Sequence, residues 1–169
     1  KTLATSAESA YEVVKTVKKL VNDDIKIIAK LTPNVANIAD VAKACERAGV
    51  DAISAINTVS QGMIIDLKTK KPFLGNKQGG LSGPAIKPIS IRSVYEIYEV
   101  VNVPIIGMGG ITTALDAIEM FMAGASMIGI GSAIYLNGMK VFSEINSGIE
   151  KYLKENNYKS INEIIGLAH

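Results

Sequence analysis

One cysteine in 169 residues excludes an intramolecular disulfide framework and suits a reducing compartment, so a cytoplasmic location is expected. The same scarcity leaves no cysteine cluster for iron-sulfur ligation, and no metal site is read from the sequence. Histidine is as rare: His169, the only one, ends the sequence and is expected to fray without a role. Net charge is only +2, which gives no case for nucleic acid as a partner. No apolar run approaches the ~20 residues of a membrane span, and no signal peptide is read, so no membrane association is expected. What is present is an ordinary globular balance, 48% apolar and 20% charged, enough for one core.

Apolar spacing alternates between helix and strand. Val13, Val14, Val17, Leu20 and Val21 give a helix over 6–21, and a strand over 25–32 follows, ended by Pro33. Asn37 caps a helix whose apolar stripe holds Ile38, Val41, Ala42, Cys45 and Ala48, and Gly49 stops it. On that stripe Cys45 is a buried core thiol. A second strand over 51–58 leads into a long polar insertion, 59–87, in which Lys68–Lys71 turns a hairpin. Residues 88–101 read as helix and 104–109 as strand. In the next helix, 112–123, Leu115, Ile118, Phe121 and Met122 are expected to point inward. Residues 126–131 form the last strand, and Phe142, Ile145, Ile149, Tyr152 and Leu153 mark a final helix. Met108, Met120, Met122 and Met127 are expected to fill the core.

This is an α/β pattern with four parallel strands, each followed by a helix. A closed TIM (β/α)8 barrel needs eight strands and typically ~250 residues. Four strands under one helical layer leave two raw edges and a bare apolar face. The expected architecture is therefore half of such a barrel, a single partial domain over 1–169, with the other half supplied from elsewhere. A flavodoxin-like open sheet is the structural alternative, and the absence of a glycine turn after the first strand counts against it.

Strand alternation gives side-chain directions. In 25–32 the set Ile25, Ile27, Ala29 and Leu31 is wholly apolar and must meet the helices, which turns Lys30 inward near the carboxyl end of its strand. Barrel enzymes keep their chemistry at that end. Two consecutive strands run into glycine turns, Gly107-Met108-Gly109-Gly110 and Gly129-Ile130-Gly131-Ser132. Free N–H groups in such turns, with helix N-termini behind them, bind phosphate.

Three strings carry a family resemblance. Gly79-Gly80-Leu81-Ser82-Gly83-Pro84-Ala85-Ile86-Lys87-Pro88, the run Pro104–Ile111, and Ala29-Lys30-Leu31-Thr32-Pro33-Asn34-Val35 with Ile56-Asn57-Thr58 resemble the dihydroorotate dehydrogenases, the NAD-linked class 1B subclass best. The likeness runs through almost the whole chain and covers the carboxyl-terminal, flavin-binding half of that family's barrel. It implies FMN-dependent oxidation of (S)-dihydroorotate to orotate in pyrimidine biosynthesis. By resemblance Lys30 stands at the flavin's pyrimidine edge, Ile56 and Gly83 contact the flavin, and Gly109, Gly110, Gly131 and Ser132 hold its phosphate. Asn57 and Thr58 match the pair that binds substrate. The family often has threonine where Ser132 stands, and the stretch 59–62 is about one residue longer than in common relatives. The subclass base is a cysteine expected upstream of Lys1, so no catalytic base is assigned within the chain, and the fragment alone is expected to be inactive. Implied partners are a second copy of the subunit and an iron-sulfur flavoprotein carrying FAD and a 2Fe-2S centre. The competing readings are a non-catalytic phosphate-binding half-barrel and another phosphate-binding barrel enzyme acting on a sugar phosphate.

Overall fold

The computed structural model describes residues 6–169. Helix α1 (Ala7–Leu20) starts at Ser6, whose hydroxyl accepts from the Ser9 N–H while the Ser9 hydroxyl accepts from the Ser6 N–H. Strand β1 (Ile28–Leu31) leads to helix α2 (Ile38–Ala48). Asn37 fixes the start of α2: its Oδ1 accepts from the N–H groups of Ala39 and Asp40 at 3.0 and 3.3 Å. Gly49, at φ +97°, ends it in the left-handed conformation. Replacing Asn37 with alanine is expected to lower stability by about 1 kcal/mol, read as an earlier denaturant midpoint at unchanged slope.

Strand β2 (Ala52–Ala55) opens into the insertion. There β3 (Val59–Gly62), β4 (Ile65–Asp66), β5 (Lys71–Pro72) and β6 (Gly79–Leu81) form two nested antiparallel pairs, β4 with β5 inside β3 with β6. A 3-10 turn, Pro84–Ile86, then enters α3 (Lys87–Tyr98). Strand β7 (Ile105–Met108), helix α4 (Ala114–Met122), strand β8 (Met127–Gly129), a short α5 (Ser132–Asn137) and α6 (Val141–Glu155) complete the order.

The main sheet is parallel, in the order β1-β2-β7-β8. Register places Lys30, Ser54, Ile106 and Met127 in one row across it. The intervening residues, among them Leu31, Ile53, Ala55 and Ile105, are buried under the helices. On the other face Ile28 is 51% and Met127 61% exposed. The sheet is thus an open arc, covered on one side and bare on the other. Parallel sheets are otherwise covered on both.

Several expectations need correction. Leu115 points outward and is 69% exposed. The buried side chains of α4 are Ala117, Ile118, Met120 and Phe121, and at 3.6 residues per turn Leu115 lies roughly 140° from the centre of that group. In α1 only Ala10 and Val14 are buried, because α1 packs against a single helix, α2, leaving Val17 and Leu20 in solvent. Met127 is not core filling, since it stands on the bare face, whereas Met120 is fully buried. His169 does not fray: its ring stacks on Tyr95 at 3.8 Å and lies 4.8 Å from Tyr98. The tail is fastened there by Gly166 N–H to Phe121 O and Ala168 N–H to Met122 O, at 3.0 and 3.1 Å.

Candidate functional site

A cleft of about 230 Å³ lies where the carboxyl ends of all four parallel strands meet the loops beyond them. It is open to solvent. Lys30 lines it from β1, one residue before that strand ends, and among the described residues makes no ion pair. Alternation put this lysine on the face away from the helices, and the register row with Ser54 keeps it there.

Ile56, Asn57 and Thr58 follow β2. Their backbone is held between neighbours: Ile56 N–H donates to Met108 O at 2.9 Å and Asn57 N–H to Leu31 O at 2.8 Å. Ile56 is buried and forms a wall, while Asn57 and Thr58 are exposed at the mouth. The Asn57 Oδ1 accepts from the Thr58 N–H at 2.8 Å, and among the described residues its amide nitrogen donates to no acceptor. Asn34 braces this segment: its amide nitrogen donates to Thr58 O at 3.1 Å and its Oδ1 accepts from the Ser60 N–H at 2.6 Å.

The glycine-rich string crosses the cleft next. Gly83 takes φ +91°, and a Cβ there would lie 3.8 Å from the Ser132 hydroxyl, which sets the loop against the turn after β8. Gly80 is pressed on the Thr58 side chain so closely that no Cβ fits.

Gly109 and Gly110 follow β7 at φ +125° and +78°. A Cβ on Gly109 would come within 2.9 Å of Ser90 Oγ, and one on Gly110 within 2.7 Å of the Lys87 backbone nitrogen. Ser90, fully buried on α3, donates to Met108 O at 2.6 Å and ties down the strand end. The N–H groups of Gly109, Gly110, Ile111 and Gly131 donate to no acceptor among the described residues. Gly131 has nothing within 4 Å of where a Cβ would stand, and Ser132 begins α5 beside it. The donor set of these two turns is backbone N–H plus one hydroxyl, with no carboxylate, which is the chemistry of a phosphate cradle.

Among the described residues, no carboxylate, cysteine or histidine lines the cleft. Cys45 is buried in α2, and burial pushes its thiol above the ordinary value. No group of three or more His, Cys, Asp or Glu among the described residues could hold a metal.

Sequence reasoning missed Asn34, Ser90 and an ion-pair network behind the first glycine turn. There Lys87 Nζ lies 2.8 Å from both Asp116 and Glu119. Burial pushes the Asp116 carboxyl up, but Lys87 and the donors of Thr112 and Thr113 outweigh it and hold it well below the usual range. Asp116 also closes a capping box with Thr113 at the start of α4. The Thr113-x-x-Asp116 spacing was a readable signal for that box.

All nine residues singled out from the sequence line this one cleft. The model of the family described as dihydroorotate dehydrogenase matches residues 1–153. The chain is 53% identical over 161 residues to the dihydroorotate dehydrogenase B (NAD(+)) catalytic subunit of Pyrococcus abyssi, a match that covers 95% of this chain and 53% of that protein. The subunit of the same name from Brachyspira hyodysenteriae is 51% identical over 164 residues, 97% of this chain and 53% of that protein. The one from Methanocaldococcus jannaschii is 50% identical over 168 residues, 99% and 54%. The chain spans about half the length of the curated relatives it matches.

Proposed function

The chain belongs to the dihydroorotate dehydrogenase family, and from that premise we propose that it contributes the FMN and substrate contacts for oxidation of (S)-dihydroorotate to orotate. The observation that carries this reading is the gathering of Lys30, Asn57 and the two glycine turns around one cleft.

The residues present are chemically compatible with FMN. The unbonded N–H groups at Gly109, Gly110, Ile111 and Gly131 with the Ser132 hydroxyl suit the phosphate, and Gly131 leaves open space where a side chain would intrude. Ile56 and Gly83 offer an apolar wall and a bare backbone for the ring. FMN supplies hydride acceptance when bound. Lys30 places an ammonium at the edge of the cleft, where it stabilises developing negative charge. Asn57 donates its two free amide hydrogens to substrate oxygens, and Thr58 supports it from the mouth. The family resemblance implies a cysteine as the base that takes the substrate's proton, and it assigns none of the residues lining this cleft to that role.

On this reading residues 1–169 are one partial barrel domain, and its bare sheet face is covered by the rest of the barrel. By resemblance to the NAD-linked subclass, the electrons then pass to an iron-sulfur flavoprotein subunit carrying FAD and a 2Fe-2S centre; the single, buried cysteine of this chain gives it no cluster ligand set of its own. A homodimer of the catalytic subunit belongs to the same reading. So does a cytoplasmic location, where such a thiol stays reduced. No helix among the described residues is long and apolar enough to cross a membrane.

The test is flavin uptake by the intact protein. It is expected to bind FMN stoichiometrically, with the absorbance of a flavin, and a colourless protein that takes up none would overturn the reading. Within the holoenzyme, Asn57→Ala is expected to weaken orotate binding about tenfold or more with FMN retained. Unchanged orotate affinity by titration removes Asn57 from the substrate contacts.

A further inference from the structure

Lys87 is the first residue of α3. A cation there opposes the helix dipole, which favours acids in the first turn. Its surroundings account for it. The Lys87 backbone lies directly under Gly110, and its ammonium reaches across to Asp116 and Glu119, at 2.8 Å each. These two carboxylates raise its pKa, Asp116 the more, so it stays charged.

Asp116 sits just behind the glycine turn. Its Oδ2 accepts from the N–H and hydroxyl of Thr112, both at 3.0 Å, and from the N–H and hydroxyl of Thr113, both at 2.9 Å. Those bonds remove the Thr112 and Thr113 amides from use and leave Gly109, Gly110 and Ile111 as the unbonded donors facing the cleft. They also bring a full negative charge close to the turn. The Asp116 Oδ2 bonds the amide next to Ile111, so the carboxylate is one residue away from the turn, where its charge is only partly screened. Uncompensated, it would repel a phosphate.

Granting the proposed phosphate role of this turn, we propose that Lys87 is a positioning residue that offsets part of the negative charge of Asp116 and Glu119 behind the cradle, making affinity for the flavin's phosphate, but not for its ring, depend on the charge of Lys87. The same side chain bolts the start of α3 to the start of α4 with the turn between them. Asp116 thereby fixes which amides point outward while Lys87, shared with Glu119, reduces the electrostatic penalty of having it there.

The experiment compares FMN and riboflavin binding to the deflavinated intact protein by fluorescence titration. The two ligands share a ring and differ by the phosphate. Lys87→Met is expected to weaken FMN by on the order of tenfold or more, while riboflavin changes less than about twofold. Lys87→Arg is expected to keep FMN affinity. Adding Asp116→Asn to Lys87→Met is expected to restore most of it, because the net charge of the cluster, Glu119 included, returns to its wild-type value. Asp116→Asn alone, with Lys87 intact, is expected to sharpen the preference for FMN, and this arm decides the matter if Lys87→Met folds poorly. Equal loss of both flavins in Lys87→Met, no recovery in the double variant, or a blunted preference in Asp116→Asn overturns the role of Lys87. A wild-type protein with no preference for FMN over riboflavin overturns the phosphate reading of the turn itself, and Lys87's role with it.

Discussion

Replacing Lys30 with alanine in the intact holoenzyme is expected to slow dihydroorotate-dependent bleaching of the flavin band by about 10²–10³-fold, the usual cost of deleting one preorganised donor. Stability is expected to change little, by about 0.5 kcal/mol or less, as for surface substitutions away from special features. Both halves of that expectation come from placement. Lys30 is exposed, on the side of β1 away from the helices, with no ion pair to lose among the described residues. It nevertheless lines the cleft beside Ile56 and Asn57. A lysine kept only for solubility would leave single-turnover bleaching unchanged, and that result removes Lys30 from the site. A fall in thermal midpoint parallel to the fall in rate would instead make it a structural residue.

Gly110→Ala is expected to have the largest effect on folding. At φ +78° an L side chain costs about 1–2 kcal/mol. The new methyl would stand 2.6 Å from Lys87 Cβ and 2.7 Å from Lys87 Cα and N. Backbone at the start of α3 cannot swing aside, because Ser90, Ser93 and Val94 anchor that helix in the core. Overpacking of this kind adds about 1–3 kcal/mol. Together these reach about 2–5 kcal/mol, a large fraction of a domain's total. Denaturant unfolding is expected to show a much earlier midpoint, with loss of FMN in the same range. Gly131→Ala is the contrasting variant. Among the described residues nothing lies within 4 Å of the added methyl, so the effect is expected to fall on FMN affinity more than on folding. A Gly110→Ala protein that melts like the wild type would mean that α3 does not brace the turn.

Much of this molecule was legible because local signals agreed. Asn37 and Gly49 mark both ends of α2, and alternation in Ile27–Leu31 gives the direction of Lys30 without any tertiary information. The hairpin around Lys68–Lys71 was likewise written in its turn. What escaped depends on neighbours. Leu115 looks like a stripe residue, but the buried side of α4 is chosen by β8, α3 and α6, which favour Met120. The β3–β6 pair was missed because Gly62, Gly79 and Gly80 carry no strand propensity. His169 was judged by its place at the end of the sequence, whereas the aromatic surface of Tyr95 and Tyr98 decides its position. Within the cleft, glycines and the lysine announce themselves by type. Asn34, Ser90 and Lys87 do not, since each acts through a bond to a residue distant in sequence.

Asn34 grips the chain on both sides of Val59, taking the carbonyl of Thr58 and the amide of Ser60. The connections leaving β1 and β2 are therefore stitched into a single lip. Immobilising that lip is a cost met once, when the protein folds, and not again at each encounter. A ligand arriving at Asn57 meets a shape already made, so its residence time, more than its rate of capture, will distinguish a good fit from a poor one.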